Sequence, residues 1–370
     1  MRVLHFFKTY LPDTTGGIEQ VIYQLCEGTR EQGVESKVLT LSPNPRPATV
    51  QVARHQVVRA RQDLYVASTG FSAQAFGLFR QLASEADLIH FHFPWPAMDL
   101  VHLCTRHGKP TVLSYHSDIV KQRGLLALYR PLMSRFLDSM DRIIVASPNY
   151  QQTSSTLRRY EAKTRVVPFG LDPSSYPPLT SELADRWRHR LPERFFVFVG
   201  VLRYYKGLDT LLEALAGTPY QVVIVGSGPE EDRLKAKAVR LGLQGAHFLG
   251  WLDDADKACL IDMSLGMVFP SHLRSEAFGI SLLEASMYGK PMITCEIGTG
   301  TTYVNEGNRT GLVIPPDDPK ALRAAMHQLW EQPALAHRMG VAARQRFETL
   351  FTAERMCRET VSIYRELIAG

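Results

Sequence analysis

Strand-length apolar runs alternate with helical patterns twice along this 370-residue chain, and that rhythm restricts the fold more than any other feature. In the first half, strands fit near 2–7, 36–41, 87–91, 111–115, 142–146 and 165–168. Helices fit 17–32, 74–84, 97–107, 124–139 and 149–158. Phe169-Gly170-Leu171-Asp172-Pro173-Ser174-Ser175-Tyr176-Pro177-Pro178 then interrupts the pattern as a linker. The second half restarts it, with strands near 195–201, 221–226, 246–249, 266–270, 291–295 and 311–314. Helices fit 207–216, 230–241, 254–263, 279–288, 318–331 and 333–348. Such alternation predicts parallel sheets with helices on both faces. The expected fold is therefore α/β, with doubly wound, Rossmann-like domains over 1–170 and 171–350. The last segment, 351–370, carries a helical pattern over 352–368 with spare length to return to the first domain. Two domains of this kind place ligands at the carboxyl ends of their strands, facing an inter-domain cleft.

Composition supports a globular protein, at 45% hydrophobic and 21% charged residues. The five cysteines (Cys26, Cys104, Cys259, Cys295, Cys357) are scattered and form no C-x-x-C pair. That pattern argues against a disulfide framework or a zinc site, and for a reducing compartment. Met1 to Phe7 reads as a first strand rather than a signal segment. No uncharged apolar run reaches the length of a membrane span, so a cytoplasmic location is expected. Positive charge is concentrated early: residues 101–170 hold 11 basic and 4 acidic side chains. This asymmetry suggests an anionic partner, whether nucleic acid, phosphorylated substrate or membrane surface.

Chemistry is best read from the run Ser271-His272-Leu273-Arg274-Ser275-Glu276-Ala277-Phe278-Gly279-Ile280-Ser281-Leu282-Leu283-Glu284. Glu276 falls in a strand-to-helix loop and Glu284 inside the helix that follows. Between them the helix N-terminus, at Phe278, Gly279 and Ile280, offers free backbone N–H groups to an anion. A nucleotide-sugar, with a diphosphate between two polar ends, suits that layout. Arg203 and Lys206, in Arg203-Tyr204-Tyr205-Lys206-Gly207, follow directly on a buried strand. They can neutralise a departing diphosphate, or be ordinary surface cations. Gly226-Ser227-Gly228 and Leu249-Gly250-Trp251 are candidate walls for a nucleobase, with Gly226 and Trp251 the residues to watch.

Other features are less decisive one by one. Gly16 and Gly17 precede the first helix and allow close approach of a phosphate or sugar. His116, with Asp118 close behind, sits just past a strand and can meet a substrate hydroxyl. His90, His92 and His102 lack that position. Asp253-Asp254-Ala255-Asp256 contains an Asp-x-Asp but opens a helix, where acids favour the dipole, so it is read as capping. The leucine-rich helix 124–137, flanked by Lys121, Arg123 and Arg142, is read as a surface that can lie on an anionic bilayer.

Taken together these motifs resemble the family 4 retaining glycosyltransferases of GT-B architecture, over nearly the whole chain. The family's Glu-x7-Glu element is matched by Glu276 and Glu284, and its Arg-x-x-Lys-Gly element by Arg203, Lys206 and Gly207. Its glycine loop is matched by Gly16, Gly17 and Glu19, its active-site histidine by His116, and its inter-domain turn by Phe169 to Asp172. The resemblance implies that Glu284 binds the ribose, that Glu276 faces the donor sugar and that Arg203 and Lys206 hold the diphosphate. It implies that His116 meets a sugar hydroxyl, that no metal or other cofactor is needed, and that Glu276 is not a nucleophile. More narrowly, Tyr115 to Gln122, Cys295 to Asn305 and Phe91 to Pro96 resemble bacterial O-antigen mannosyl- and D-rhamnosyltransferases. Those enzymes use GDP-mannose or GDP-D-rhamnose and extend an undecaprenyl-diphosphate-linked chain at the cytoplasmic membrane face. The expected partners are thus a nucleotide-sugar, a lipid-diphosphate-linked acceptor and the anionic inner-membrane surface, and not nucleic acid. One departure is Thr299-Gly300-Thr301-Thr302, where the family often has two glycines and a small residue. The competing readings are a UDP-sugar donor, a sugar-nucleotide epimerase of the same architecture, and a non-catalytic nucleotide-binding partner.

Overall fold

The computed structural model describes residues 1–66, 69–119 and 123–369, with side chains for all of these except 123–126. Lys121, Gln122 and the side chain of Arg123, used above, lie outside the described residues. The chain divides into two compact units, one of Met1–Gly170 with Ala353–Gly370, the other of Leu171–Thr352.

The first unit begins with β1 (Arg2–Phe6), α1 (Gly17–Gly28), β2 (Glu35–Ser42), β3 (Thr49–Val52) and β4 (His55–Arg61). A small hairpin, β5 (Leu64–Val66) and β6 (Thr69–Phe71), leads to α2 (Gln74–Glu85). Then come β7 (Leu88–Phe93), α3 (Pro96–Cys104), β8 (Thr111–Tyr115), α4 (Arg123–Asp138) and β9 (Arg142–Val145). Short helices α5 (Pro148–Thr153) and α6 (Ser155–Arg158) precede β10 (Thr164–Val166). The sheet order is β10-β9-β8-β7-β1-β2-β4-β3, parallel throughout except for the β3–β4 pair.

The second unit runs α7 (Ser181–Arg188), β11 (Phe196–Val199), α8 (Leu208–Leu215), β12 (Val222–Val225), α9 (Glu231–Arg240) and β13 (Ala246–Gly250). It continues with α10 (Asp254–Met263), β14 (Met267–Phe269), α11 (Ile280–Met287), β15 (Met292–Cys295) and α12 (Thr301–Val304). β16 (Gly311–Ile314), α13 (Pro319–Glu331) and α14 (Pro333–Leu350) complete it. Its parallel sheet has the order β13-β12-β11-β14-β15-β16. The direction of winding reverses between β11 and β14, so the loops that leave those two strands open side by side. Phe196, Phe198, Val222, Ile224, Val268 and Ile293, apolar at every strand position that needs it, bury one sheet face against α8, α9 and α13. α15 (Ala353–Ala369) belongs to the first unit, where it packs on α1 and donates the Cys357 thiol to the Gln24 carbonyl.

The structure departs from the sequence reading in a few places. β3, β4 and the β5–β6 hairpin lie where no strand was expected. β3 is half exposed along its length, as an edge strand is, so it lacks the apolar run that marks a buried strand. α7 has only Trp187 fully buried, so its periodicity is faint. The helix expected over 17–32 stops at Gly28, and a 3-10 turn at Arg30–Gln32 ends on Gly33 with φ 83°. The helix expected over 149–158 is two pieces, parted at Ser154, whose hydroxyl accepts from the Leu157 N–H.

Candidate active site

In the second unit, the reversal of strand order brings the two most informative sequence motifs together. Arg203 and Lys206 leave β11; Glu276 lies in the loop from β14 to α11. Gly207 makes their meeting possible. Its φ of 70° is a left-handed conformation, and a Cβ there would sit 1.9 Å from the Pro270 carbonyl oxygen. With that close approach allowed, Lys206 Nζ donates to Glu276 Oε2 at 2.5 Å. Both side chains are 11% exposed, and Ser271 Oγ donates to the same oxygen at 3.3 Å. The ammonium also lies over the Phe269 ring, 4.7 Å from its centroid. Arg203 is exposed at the rim. The pair is a buried charge couple at the switch point of this sheet.

Glu284 is buried one turn into α11, with both its recorded bonds on one oxygen. Lys257 Nζ lies 2.7 Å from Oε1, and Tyr176 Oη donates to Oε1 at 3.0 Å. Burial by itself would lower the Lys257 pKa, but Glu284 and Asp254 outweigh it and raise it above the ordinary lysine value. Burial, then Glu284, pushes the Tyr176 phenol well above its ordinary value, so it stays a donor. Sequence reasoning missed both partners. Tyr176 lies in the linker and Lys257 one residue past the Asp253–Asp256 run; nothing local marks either one.

Of the other residues singled out in the sequence, Gly279 N-caps α11 with φ 88° and Ile280 opens the helix. The Phe278 side chain is buried against Phe351, so only its backbone can face a ligand. Gly226 closes β12 with φ 127°, where a Cβ would lie 2.1 Å from the Gly200 carbonyl oxygen. This sets the Gly226-Ser227-Gly228 turn against the Arg203 loop. Trp251, beyond β13, is 67% exposed. In the loop that departs from the family pattern, Thr299 and Thr301 turn inward. Their side chains are buried and their hydroxyls lie 3.3 Å from one another. Asp253 caps α10 by accepting from the Asp256 N–H, and Asp256 in turn accepts from Arg186 and from Trp187 Nε1. These acids are spent on local structure.

In the first unit, Gly16 and Gly17 are exposed at the start of α1, beyond the carboxyl end of β1. The Glu19 carboxylate folds back and accepts from Thr14 Oγ1 at 3.1 Å. His116 directly follows β8; its backbone N–H donates to the Phe93 carbonyl and its ring lies against Phe169 and Phe7. Burial lowers its pKa to about 3, so the ring is neutral. Asp118 is structural, accepting from Tyr115 Oη and Ser154 Oγ at 2.8 Å each. His102 lies 3.0 Å from Ser139 Oγ. His92, passed over in the sequence, is not isolated: its Nδ1 is 3.0 Å from His116 Nε2. The legible signal was the alternation His90-Phe91-His92, which puts two imidazoles on one face of β7.

A model of the glycosyl transferases group 1 matches residues 181–346, and a model of Glycosyltransferase Family 4 matches residues 15–175. D-rhamnosyltransferase WbpZ of Pseudomonas aeruginosa is 60% identical over 353 residues, covering 95% of this chain and 93% of its own. O-antigen chain mannosyltransferase C of Escherichia coli is 47% identical over 368 residues, covering 100% and 99%. Among solved structures, sucrose-phosphate synthase of Thermosynechococcus elongatus superposes with a TM-score of 0.81 at 23% identity, covering 100% of this chain and 99% of that one. HepE of Anabaena, in complex with UDP and glucose, does so with a TM-score of 0.81 at 19% identity, covering 99% and 100%. The fold is GT-B, and the chain belongs to the family 4 glycosyltransferases, as a hexosyltransferase.

Proposed function

We propose that this enzyme moves an α-mannosyl or α-D-rhamnosyl unit from a GDP-sugar to an undecaprenyl-diphosphate-linked saccharide, with retention, in O-antigen or lipopolysaccharide assembly. The sugar class is supported by the two relatives at 60% and 47% identity, whose names specify D-rhamnosyl and mannosyl transfer. The residue roles rest on one observation, the buried Lys206–Glu276 couple at the switch point of the second sheet. When a diphosphate enters, Lys206 exchanges part of its bond with Glu276 for the phosphate oxygens, and Arg203 closes from the rim. The bond between the anomeric carbon and the leaving phosphate oxygen breaks as the acceptor oxygen bonds to that carbon on the same face, and the acceptor hydroxyl's proton passes to the departing phosphate oxygen. Charge on the departing nucleotide is met by these two cations, without a divalent metal or other cofactor. Glu276 Oε2 is tied to Lys206 and Ser271, so Glu276 orients the sugar and stabilises positive charge on it rather than attacking it. Glu284 holds the ribose, its orientation fixed by Lys257 and Tyr176. Trp251 and the turn at Gly226 flank the base; the N–H groups at Phe278, Gly279 and Ile280, with Gly16 and Gly17, serve the phosphates and sugar.

The acceptor is membrane-borne in this reading, and the enzyme sits peripherally on the inner face of the cell membrane. Among the described residues, no helix is long and apolar enough to cross a membrane. Instead Leu64, Tyr65, Val66 and Phe71 of the β5–β6 hairpin, Leu100 and Leu103 of α3, and Leu128 of α4 expose their side chains. Leu128 is 82% exposed, and the exposed Arg130 and Arg135 share its helix. An apolar edge beside arginines suits an anionic bilayer surface. Two experiments test the proposal. GDP- and UDP-sugars are assayed against a synthetic lipid-diphosphate acceptor with the product linkage determined; transfer from UDP-sugars alone overturns the donor. Flotation with anionic liposomes that is unchanged when Leu64, Tyr65 and Val66 become serine, and when Arg123, Arg130 and Arg135 become glutamine, overturns the membrane surface.

A further inference from the structure

The first unit holds a row of buried imidazoles. His5 on β1, His90 and His92 on β7, and His116 after β8 are all buried. One ring nitrogen from each of His5, His90 and His92 lies within 4.8 Å of the others, a spacing that invites a metal. Ring orientation argues otherwise. His90 and His92 stack with centroids 4.6 Å apart and planes 18° from parallel, while His5 meets His92 edge to edge through facing ring nitrogens. A nitrogen lone pair lies in its ring plane, so near-parallel rings do not converge on one ion. Both His90 nitrogens are also engaged, Nδ1 with Tyr364 Oη at 2.5 Å and Nε2 with Ser114 Oγ at 2.8 Å.

What remains is a chain of two hydrogen bonds. His5 Nδ1 lies 3.1 Å from His92 Nε2, and His92 Nδ1 lies 3.0 Å from His116 Nε2. Each neutral ring carries one N–H and one acceptor nitrogen. His92, between the other two, must therefore donate one way and accept the other. Only two arrangements satisfy both bonds: every ring protonated on Nε2, or every ring protonated on Nδ1. The rings are linked, so no one of them changes tautomer alone. A histidine side chain in water prefers the Nε2–H form, and the first arrangement gives that form to all three. Burial keeps the rings neutral, lowering His5 and His116 to about 3 and His92 well below its ordinary value.

We propose that His92, backed by His5, is a positioning residue that holds His116 in its Nε2–H tautomer and so presents Nδ1 as an acceptor to a substrate hydroxyl. The last step rests on the reading of His116 as a sugar-contacting residue; the tautomer does not. In this arrangement His116 Nε2–H donates to His92 Nδ1, His92 Nε2–H donates to His5 Nδ1, and His116 Nδ1 is left bare for an incoming O–H. A sugar hydroxyl then donates to His116, which fixes its rotation and leaves its lone pairs for the other partners of the sugar.

The test uses the full chain labelled with 15N-histidine. Long-range proton–nitrogen spectra at pH 7.5 are expected to show His116 protonated on Nε2 and bare on Nδ1; the reverse pattern overturns the proposal. His92→Asn keeps a side-chain oxygen near the place of Nδ1 and should keep both the His116 pattern and most of kcat. His92→Phe should blur the pattern into two tautomers and lower kcat by about ten- to a hundredfold, the usual scale for a group that orients another, with KM changed less. An unaltered spectrum and unaltered kcat in a folded His92→Phe variant overturn it. Should that variant fail to fold, the wild-type spectrum and His92→Asn still decide. Full turnover in His116→Ala overturns the role of His116 itself, and the wild-type spectrum tells that outcome apart from failure of the chain.

Discussion

Replacing Lys206 by methionine keeps the length of the side chain and removes its charge. The Glu276 carboxylate then stays buried beside Ser271 with its cation gone. Breaking a buried pair from one side costs about 3–5 kcal/mol. With both side chains 11% exposed, some water reaches the couple, and the lower end, about 3 kcal/mol, is the better figure. In a domain of this size that lowers the melting temperature by about 6–12 °C. The double variant Lys206→Met/Glu276→Gln removes both charges and leaves no orphan, so most of the lost stability should return. Turnover should not return with it. Loss of a preorganised charge-stabilising group costs about 10²–10³ in kcat, and the double variant lacks that group as well. Calorimetry of the three proteins, with steady-state transfer rates for each, separates the two effects. A double variant as unstable as the single one would show that Lys206 acts by packing. A single variant within about threefold of normal turnover would falsify the leaving-group role.

Other perturbations probe different parts of the structure. Tyr176→Phe deletes one bond to Glu284 at a cost of about 1 kcal/mol, so GDP affinity by titration calorimetry should fall about fivefold while the fold is kept; unchanged affinity would detach Glu284 from the ribose. Trp251→Ala should weaken GDP binding by about ten- to a hundredfold if the exposed indole stacks on the base, the scale known for base–aromatic stacking, and GDP should quench the Trp251 contribution to fluorescence in the native protein. Acid should act first on the first unit. His5, His90, His92 and His116 have folded pKa values below the ordinary 6.5 because they are buried. The unfolded chain therefore takes up protons that the folded one refuses; stability is full above about pH 6.5 and is lost as pH falls toward about 3. Each ring can contribute up to about 1.4 kcal/mol per pH unit, less where neighbours compete for one proton. Scanning calorimetry from pH 7 to pH 4, with Trp95 fluorescence reporting the first unit, should show its transition fall well before the second; parallel shifts would refute the assignment.

Both sheets were readable from the sequence because their strands are buried on two faces. Phe196-Val197-Phe198-Val199 and Val222-Val223-Ile224-Val225 can be little else. β3 and the β5–β6 hairpin were not, since an edge or exposed strand does not need an apolar run, and β4 hides its alternation behind the buried polar residues His55 and Arg59. In the candidate site, the residues that stood out were those whose spacing puts them at strand or helix ends: Arg203, Lys206, Glu276, Glu284 and His116. Their partners were hidden. Tyr176 and Lys257 reach Glu284 from segments 108 and 27 residues away in sequence. His5 reaches His92 across 87 residues. Long-range pairing of this kind is set by strand order, and strand order is decided only when the whole sheet forms.

The return of α15 bears on how the protein is made. The first unit consists of two stretches of chain, with the whole of the second unit between them. Tyr364, which meets His90, and Cys357, which meets Gln24, are synthesised only after the whole of the second unit. The second unit is continuous, its ends pinned where the Leu171 N–H donates to the Phe351 carbonyl and Leu171 bridges Thr352. It can close while the first still lacks a wall. Synthesis therefore reverses the usual order, in which the amino-terminal domain is finished first. A released chain that ends before Ala353 holds all of the second unit and a first unit in which His90 lacks its Tyr364 partner.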